Sequence, residues 1–204
     1  MQNAAFAASG LDWRYDAFDV DDVVAAVAAL RTLGFAGANV TIPYKEQAAA
    51  ACDEAEGDAV NTLVFRDGRV LGFYTDQEIL AGIDATRACV IAAGGAAKAL
   101  APALPADTRV FTRSGAWPPD AADCDLIVNA TPVRDELLVQ PVAGQTVVDL
   151  AYGPDETALV EAARAAGCIV VDGREALVRQ GAASFRLWTG LEPPVETMRD
   201  AVRT

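Results

Sequence analysis

The sequence predicts an α/β protein in two parts, the second of which is built around a doubly wound parallel sheet. Three observations predict this class. From residue 76 onward, β-rich runs alternate with segments of helical periodicity, the order typical of parallel strands joined by helices. Several of these runs are continuously apolar, as in strands that are covered on both faces. The chain has 204 residues, 52% of them hydrophobic, which suits one large or two small domains.

For the part of the chain up to Asp76, the sequence predicts a strand, a helix, a strand, a short helix and a hairpin, in that order. Alternation predicts a strand at DWRYDAF, and helical spacing after an acidic start predicts a helix that ends at Gly34. GANVTI predicts the second strand. Pro43 is expected to open the short helix PYKEQAAAA at its first position, where proline is tolerated. Asp67-Gly68 joins two β-rich runs and therefore predicts a hairpin that ends at Asp76.

For the part of the chain after Asp76, the sequence predicts buried strands that alternate with helices. The strands are, in chain order, ACVIAA (88–93), TRVFT (108–112), CDLIVNA (124–130), TVVDLA (146–151) and CIVVDG (168–173). The predicted helices are GGAAKALAPAL (94–104), DETALVEAARAAG (155–167), ALVRQGAASFRLWTG (176–190) and PVETMRDAVRT (194–204). The clearest predicted loop is SGAWPPDAAD (114–123), because of its Pro-Pro and Gly content.

The charge balance excludes some classes of partner. With 16 basic and 29 acidic residues, the net charge is −13, and such a surface repels the phosphate backbone of nucleic acids. An anionic ligand would therefore need a local basic patch. No run is long and apolar enough to span a bilayer, and the start does not resemble a signal peptide. We expect a cytoplasmic protein with no membrane partner.

The absence of histidine excludes further chemistries. Without histidine there is no Ser-His-Asp triad, Cys-His pair or His-ligated metal. The four cysteines are scattered and form no C-x-x-C pair, so we interpret them as free thiols rather than redox or metal ligands. No metal site is predicted.

Lys45 and Asp76 are the first candidate for chemistry. Lys45 is one of two lysines in the chain and is predicted to lie in the first turn of a helix, where the macrodipole disfavours a cation. A carboxylate nearby would hold the ammonium in place, and Asp76, at the end of the hairpin, is the natural partner. A lysine in this setting exchanges protons with a substrate hydroxyl. On spacing alone, a solvated surface lysine is the more common outcome, and both readings stay open.

A glycine turn and an arginine are candidates for binding an anionic cofactor. VIAAGGAAKA (90–99) predicts a strand, a turn and a helix N-terminus, whose backbone N–H groups cradle phosphates. The same residues are also consistent with an ordinary turn between a strand and a helix that binds no ligand. Arg113 follows the next strand, where an arginine fork binds a 2′-phosphate, although a lone arginine there is usually a surface residue. Polar residues within apolar runs either satisfy buried groups or face a ligand; they are Asn61, Asn129, Thr131 and Gln180.

The order of these motifs resembles that of the shikimate dehydrogenase family. The resemblance is carried by NVTIPYK, AVNTLV, the TD after the hairpin, AGGAAKA, NATP, VVDLAYGPDET and RQGAASFRLWTG, and it runs over the whole chain. It implies NADP-dependent, reversible reduction of 3-dehydroshikimate to shikimate. It also implies an N-terminal α/β substrate domain (residues 1–76), completed by the C-terminal helices (181–204), and a Rossmann-like NADP-binding domain (77–180).

The resemblance also assigns roles to individual positions. Lys45 would move the hydroxyl proton, and Asp76 would pair with it and hold the substrate. Further substrate contacts would come from Thr41, Asn61, Tyr152 and Gln180. The cofactor's phosphates would be held by Gly94, Gly95, Ala96 and Arg113, and nearby parts of the nucleotide by Asn129, Ala130 and Thr131. Lysine suits the proton transfer because arginine is effectively always protonated.

The chain departs from the family pattern at several positions. It begins just after the usual first strand and Ser-x-Ser-Pro segment, Tyr74 replaces an asparagine, and Ala92 stands in place of the first loop glycine. Glu175 and Ala176 replace a glycine and a methionine. An alternative is therefore a non-catalytic relative that binds a small hydroxylated acid or acts as a scaffold with a degraded nucleotide site. An exposed sheet edge also makes a homodimer an expectation.

Overall fold

The structure is a computed structural model that describes residues 1–92 and 100–203. The chain forms two compact units: Met1–Asp76 together with Gln180–Thr204, and Gln77–Arg179. Both contain helices and a β-sheet, so the predicted α/β class is confirmed. Within the described ranges, no helix is long and apolar enough to cross a bilayer.

The first unit contains a four-stranded sheet. Its strands are β1 (Gly37–Asn39), β2 (Glu54–Ala55), β3 (Thr62–Arg66) and β4 (Arg69–Phe73), in the spatial order β1-β3-β4-β2. β3 and β4 form the predicted hairpin, in which Asp67 and Gly68 have φ values of 54° and 75°. A two-residue turn with both φ values positive matches the right-handed twist of the strands. The hairpin places Asp76 just beyond the end of β4.

Three helices lie in the N-terminal part of this unit, and two of them pack on the sheet. They are α1 (Gln2–Ala8), α2 (Val23–Thr32) and α3 (Lys45–Ala50). The side chain of Asp22 accepts a hydrogen bond from the backbone N–H of Ala25 and so caps α2, and Gly34 ends it with φ 78°. Val23, Val27 and Ala48 pack with Leu63 and other strand residues in one apolar cluster. This packing fixes α3, and with it Lys45, against the sheet.

Two local predictions for this unit are wrong. DWRYDAF is not a strand, because its polar backbone groups meet no neighbouring strand; Tyr15 instead exchanges two hydrogen bonds with the side chain of Asn3. Pro43 does not open the short helix. It lies in a turn in which the backbone N–H of Tyr44 donates to the carbonyl of Thr41, and α3 begins two residues later at Lys45.

The second unit contains a five-stranded, wholly parallel sheet. Its strands are β5 (Arg87–Ala92), β6 (Asp107–Phe111), β7 (Leu126–Ala130), β8 (Thr146–Asp149) and β9 (Ile169–Val171), in the order β6-β5-β7-β8-β9. The remaining described helices are α4 (Ala158–Ala165), α5 (Gly173–Thr189), which ends in the first unit, and α6 (Val195–Arg203) of the first unit. The predicted helix at 94–104 lies mostly outside the described residues, which show a 3₁₀ turn at Ala101–Ala103.

Both faces of this sheet are covered, as its apolar strands predict. One face packs against apolar residues that include Leu100 and Ala176. The other face is covered by α4 and by loops, because the crossovers from β6 to β7 and from β7 to β8 contain no helix in the structure. Loop residues Trp117, Leu138 and Val139 supply the apolar cover there. The carboxyl ends of β5, β6 and β7 therefore meet at one edge beside two long loops.

Candidate active site

Lys45 and Asp76 form a close ion pair in the first unit. The Lys45 Nζ lies 2.6 Å from Asp76 Oδ2, and the side chains are 22% and 13% exposed. Lys45 is the first residue of α3, and Asp76 lies in the 3₁₀ turn Thr75–Leu80 that follows β4. A charged hydrogen bond with so little water around it is short and strong. The two residues that the sequence pairs are therefore brought together, with the ammonium still accessible to a ligand.

Asn61 orients the Asp76 carboxylate. Its Oδ1 accepts a hydrogen bond from the backbone N–H of Thr75 at 2.7 Å, so the other end of its amide must be the donor. That end, Nδ2, donates to Asp76 Oδ1 at 2.7 Å. Asn61 is fully buried, and its amide cannot turn over without losing both bonds. Asp76 is thus held by Asn61 on one oxygen and by Lys45 on the other.

Buried hydroxyl groups behind this pair were missed by sequence reasoning. The Oγ atom of Ser184, on α5, lies 2.9 Å from Thr62 Oγ1 and 3.0 Å from Asn39 Nδ2. Thr62 Oγ1 in turn lies 2.9 Å from Thr75 Oγ1, next to Asp76. Ser184 also donates to the backbone carbonyl of Gln180, one turn earlier on the same helix. The spacing of four residues between Gln180 and Ser184 is the signal that could have placed both on one helix face.

Tyr74 borders the same pair. Lys45 Nζ lies 5.4 Å from the centre of the Tyr74 ring, within the range of a cation–π contact. Burial raises the pKa of the Tyr74 phenol above its usual value, and the charge of Asp76 and hydrogen bonding to it raise that pKa further. The phenol therefore stays protonated at neutral pH and acts as a donor. The tyrosine that replaces the family asparagine lies beside the ammonium group.

The other predicted substrate residues have different surroundings. Thr41 is exposed in the turn before α3, and Gln180 is partly exposed on α5, where its carbonyl accepts from Ser184. Tyr152 belongs to the second unit and is 64% exposed in the loop after β8. The carbonyl groups of this loop accept hydrogen bonds from Arg134 and Arg174. Within the first unit, the structure thus joins Asn61 directly to the lysine–aspartate pair, and joins Gln180 to Ser184 through its backbone carbonyl.

Predicted cofactor residues lie at the carboxyl edge of the second sheet. Asn129 and Ala130 end β7, and Thr131 follows them. Asn129 Oδ1 accepts from the backbone N–H and the hydroxyl of Thr131, while its Nδ2 donates to Asp149 Oδ1 at 2.9 Å. Gly94, Gly95 and Ala96 lie outside the described residues. The side chain of Asn129 thus holds Thr131 and Asp149 together at the end of β7.

Asp149 is the buried carboxylate that contacts Asn129. Besides Asn129 it accepts hydrogen bonds from the backbone N–H of Ala151 and the hydroxyl of Thr157, the residue that caps α4. Burial raises the pKa of Asp149, and these hydrogen bonds oppose the rise. The carboxylate links the end of β8 to the end of β7 and to the start of α4.

Arg113 lies two residues beyond the end of β6 and is already in contact with other side chains. Its Nη2 donates to Glu136 Oε2, and its guanidinium carbon lies 4.6 Å from the centre of the Trp117 ring. Both members of the ion pair are exposed, at 58% and 54%. An incoming anion would therefore meet an arginine whose edge is held by a carboxylate.

Comparison with known proteins identifies the family. A profile described as Shikimate dehydrogenase substrate binding domain matches residues 1–63, and one described as Shikimate 5′-dehydrogenase C-terminal domain matches residues 173–203. Shikimate dehydrogenase (NADP(+)) of Methanothermobacter thermautotrophicus is 34% identical over 254 aligned positions, which cover 100% of this chain and 90% of that relative. The chain belongs to the shikimate dehydrogenase family.

Solved structures of the family share the architecture. The structure of shikimate 5-dehydrogenase from Thermus thermophilus with NADP(H) and shikimate has a TM-score of 0.82 at 30% identity, with 99% of this chain and 92% of that chain covered. Shikimate 5-dehydrogenase from Listeria monocytogenes, in complex with shikimate and NAD, has a TM-score of 0.80 at 25% identity, with 98% and 90% covered. The family fold is therefore present over nearly the whole chain.

Proposed function

We propose that this protein is an NADP-dependent shikimate dehydrogenase that reversibly reduces 3-dehydroshikimate to shikimate. The observation that carries the proposal is the 2.6 Å contact between Lys45 and Asp76, with Asn61 fixing the carboxylate. Membership of the family and the shikimate-bound relatives support the choice of reaction. The alternative is a non-catalytic relative that binds a small hydroxylated acid or acts as a scaffold with a degraded nucleotide site, and it predicts no turnover.

Lys45 is assigned the proton transfer. When shikimate is oxidised, the neutral amine form of Lys45 takes the proton of the C3 hydroxyl as the C3–H bond breaks and the carbonyl forms. In the reduction, the ammonium form of Lys45 gives that proton back to the C3 oxygen. Asp76 holds Nζ in position and stabilises the ammonium that results. NADP, when bound, supplies the acceptor or donor of the hydride. Thr41, Asn61, Tyr152 and Gln180 are proposed as the substrate's further contacts.

The residues at the carboxyl edge of the second sheet fit an NADP molecule. In open parallel sheets, dinucleotides bind where the carboxyl ends of the strands meet and the strand order reverses, which here is between β5 and β7. Asn129 and Ala130 end β7 at that point and Thr131 follows them, and Arg113, just after β6, is proposed to bind the 2′-phosphate. Gly94, Gly95 and Ala96 are proposed for the pyrophosphate.

Two further assignments follow from the same proposal. We assign residues 1–76 and 181–204 to the substrate domain and residues 77–180 to the dinucleotide domain, in line with the two compact units. A cytoplasmic location and a homodimer stay predictions from the sequence.

The experiment is NADP reduction with shikimate by the full chain and by Lys45→Ala and Lys45→Arg. Both variants are expected to lose about 10²–10⁴-fold in kcat, the usual range for a general acid–base group, because arginine keeps the charge but cannot cycle the proton. Shikimate binding, measured by calorimetry, should weaken far less in Lys45→Arg than turnover does. Turnover within tenfold of the parent chain in either variant would remove Lys45 from this role. Shikimate binding without turnover in the parent chain would favour the non-catalytic binder.

A further inference from the structure

The Arg113 guanidinium is bound by two groups of the protein itself. Glu136 contacts Nη2 on its edge, and the Trp117 ring lies 4.6 Å from the guanidinium carbon and covers one face. An anion reaches an arginine at the N–H edges, which form the fork that matches phosphate. Glu136 therefore occupies the kind of contact that a phosphate would make, and Trp117 holds the plane of the group.

The ion pair crosses the edge of the sheet where the dinucleotide is proposed to bind. Arg113 follows β6, Glu136 lies in the loop after β7, and β5 lies between these strands. Ile91 of β5 is in register with Phe111, and Ala92 with Ala130, so the three carboxyl ends are level. Neighbouring strands are about 4.8 Å apart, so the two side chains together span roughly 10 Å over the end of β5.

A 2′-phosphate can displace the Glu136 carboxylate from Arg113. Both side chains are more than half exposed, and exposed ion pairs are weak. A 2′-phosphate carries more negative charge than a carboxylate and competes for the same edge. While the 2′-phosphate competes for Arg113, the negative charge of Glu136 also repels it. A ribose that lacks the phosphate offers hydroxyl donors to that carboxylate instead, which is how dinucleotide sites select NAD.

On the basis of the proposed function, we propose that Glu136 is a specificity-determining residue that lowers the preference for NADP over NAD by holding the Arg113 edge that the 2′-phosphate must take. Trp117 contributes by fixing the guanidinium plane. Family relatives have been solved with NADP(H) and with NAD bound, so similar folds accept either cofactor. The proposal concerns binding and does not require turnover.

The experiment measures the Kd of NADP and of NAD by calorimetry on the full chain, without shikimate. We compare the parent protein with Glu136→Gln and with Asp135→Asn, a matched loss of one exposed negative charge at the adjacent position. Glu136→Gln is expected to raise the NADP-to-NAD affinity ratio about two- to fivefold, the range set by an exposed ion pair. Asp135→Asn should leave the ratio unchanged. In an Arg113→Ala background, the effect of Glu136→Gln should be clearly smaller, because only the direct effect of the Glu136 carboxylate on the ribose end then remains.

Each other outcome overturns the inference. An unchanged ratio in Glu136→Gln, an equal change in Asp135→Asn, or an undiminished effect in Arg113→Ala shows that Glu136 does not act through the arginine. Thermal melting of each variant separates loss of folding from loss of binding. Shikimate turnover is measured separately, so turnover with an unchanged ratio overturns the inference alone. If neither nucleotide binds, the inference and the cofactor of the proposed function fail together.

Discussion

The amide of Asn61 connects the candidate site to the folded backbone. Its oxygen is fixed by the N–H of Thr75, and its nitrogen by the carboxylate of Asp76. Because all three groups are buried or nearly so, the loss of one partner leaves the others without water to replace it. The position of Asp76, and through it that of Lys45, therefore depends on a residue that does not transfer the proton.

The corresponding prediction is that Asn61→Leu, which keeps a similar volume without polar atoms, damages both stability and turnover. We expect a loss of about 1–3 kcal/mol in the free energy of unfolding, because the Thr75 N–H and an Asp76 oxygen become unpaired. We also expect kcat to fall about tenfold to a hundredfold, since a displacement of about 1 Å is enough for that. Urea denaturation and NADP reduction are the measurements.

Asn3→Leu is the matched control for this substitution. Asn3 also uses both ends of its amide, on the backbone N–H and carbonyl of Tyr15, but these groups are exposed. Its replacement should cost less than about 1 kcal/mol and leave turnover unchanged. Equal effects in the two variants would contradict the role given to Asn61.

At the scale of secondary-structure elements, Asp125 ties two parallel strands together at their amino ends. Its carboxylate accepts hydrogen bonds from the backbone N–H groups of Thr86 and Arg87, at the start of β5, while Asp125 itself precedes β7. The hydrogen bonds from Thr86 and Arg87 lower the pKa of Asp125 to about 2. The carboxylate thus caps N–H groups that the sheet leaves unpaired at its edge.

The prediction for Asp125→Asn concerns the pH dependence of stability. The folded-state pKa lies below the ordinary value of about 4, so the carboxylate stabilises the fold above pH 4 and loses this effect as the pH falls through about 2. Asp125→Asn should therefore cost about 1 kcal/mol at pH 7, the usual value of a side-chain cap, and almost nothing at pH 2. Denaturation curves at pH 7, 4 and 2 test this. Asp84→Asn removes a nearby exposed charge and should show no such trend.

Elements that are stabilised by local contacts, or by burial at every position along their length, were predictable from the sequence. The buried strands β5, β7 and β8 are visible as apolar runs, because a parallel strand covered on both faces needs apolar residues at every position. The hairpin follows from Asp67-Gly68. DWRYDAF failed because alternation predicts a strand only where a partner strand exists, and Pro43 failed because the turn before α3 is made by Thr41 and Tyr44.

The candidate site was also predictable only in part: residues within short motifs could be recognised, whereas contacts between distant residues could not. Lys45 and Asp76 stand in short motifs, so the sequence indicated both. Ser184 and Asn39 lie 145 positions apart and meet only in the folded unit. Glu136 and Trp117 could not be linked to Arg113, because that contact depends on β5 lying between β6 and β7. Contacts between side chains on different strands depend on the order of the strands in the sheet. The order of motifs along the chain does not reveal that order.

At the scale of the whole molecule, the chain builds the family fold with few residues. The alignment with its relative from Methanothermobacter spans 254 positions, although the chain has 204 residues. In the second unit, two crossovers between parallel strands are loops whose apolar side chains cover the sheet, where such connections usually contain a helix. A short chain with a net charge of −13 also concentrates that charge on a small surface.

The charge predicts how fast an anionic dinucleotide associates. The long-range field of the protein repels NADP, whereas Arg113 attracts it only at short range, beside the carboxylate of Glu136. Raising the ionic strength from 0.01 M to 0.15 M shortens the Debye length from about 30 Å to about 8 Å, which screens the repulsion first. The association rate constant of NADP, measured by stopped-flow tryptophan fluorescence, should therefore rise about two- to fivefold over this range. NAD, which carries less charge, should gain less. A rate that falls with added salt would mean that a local positive potential at the sheet edge dominates the approach of the cofactor.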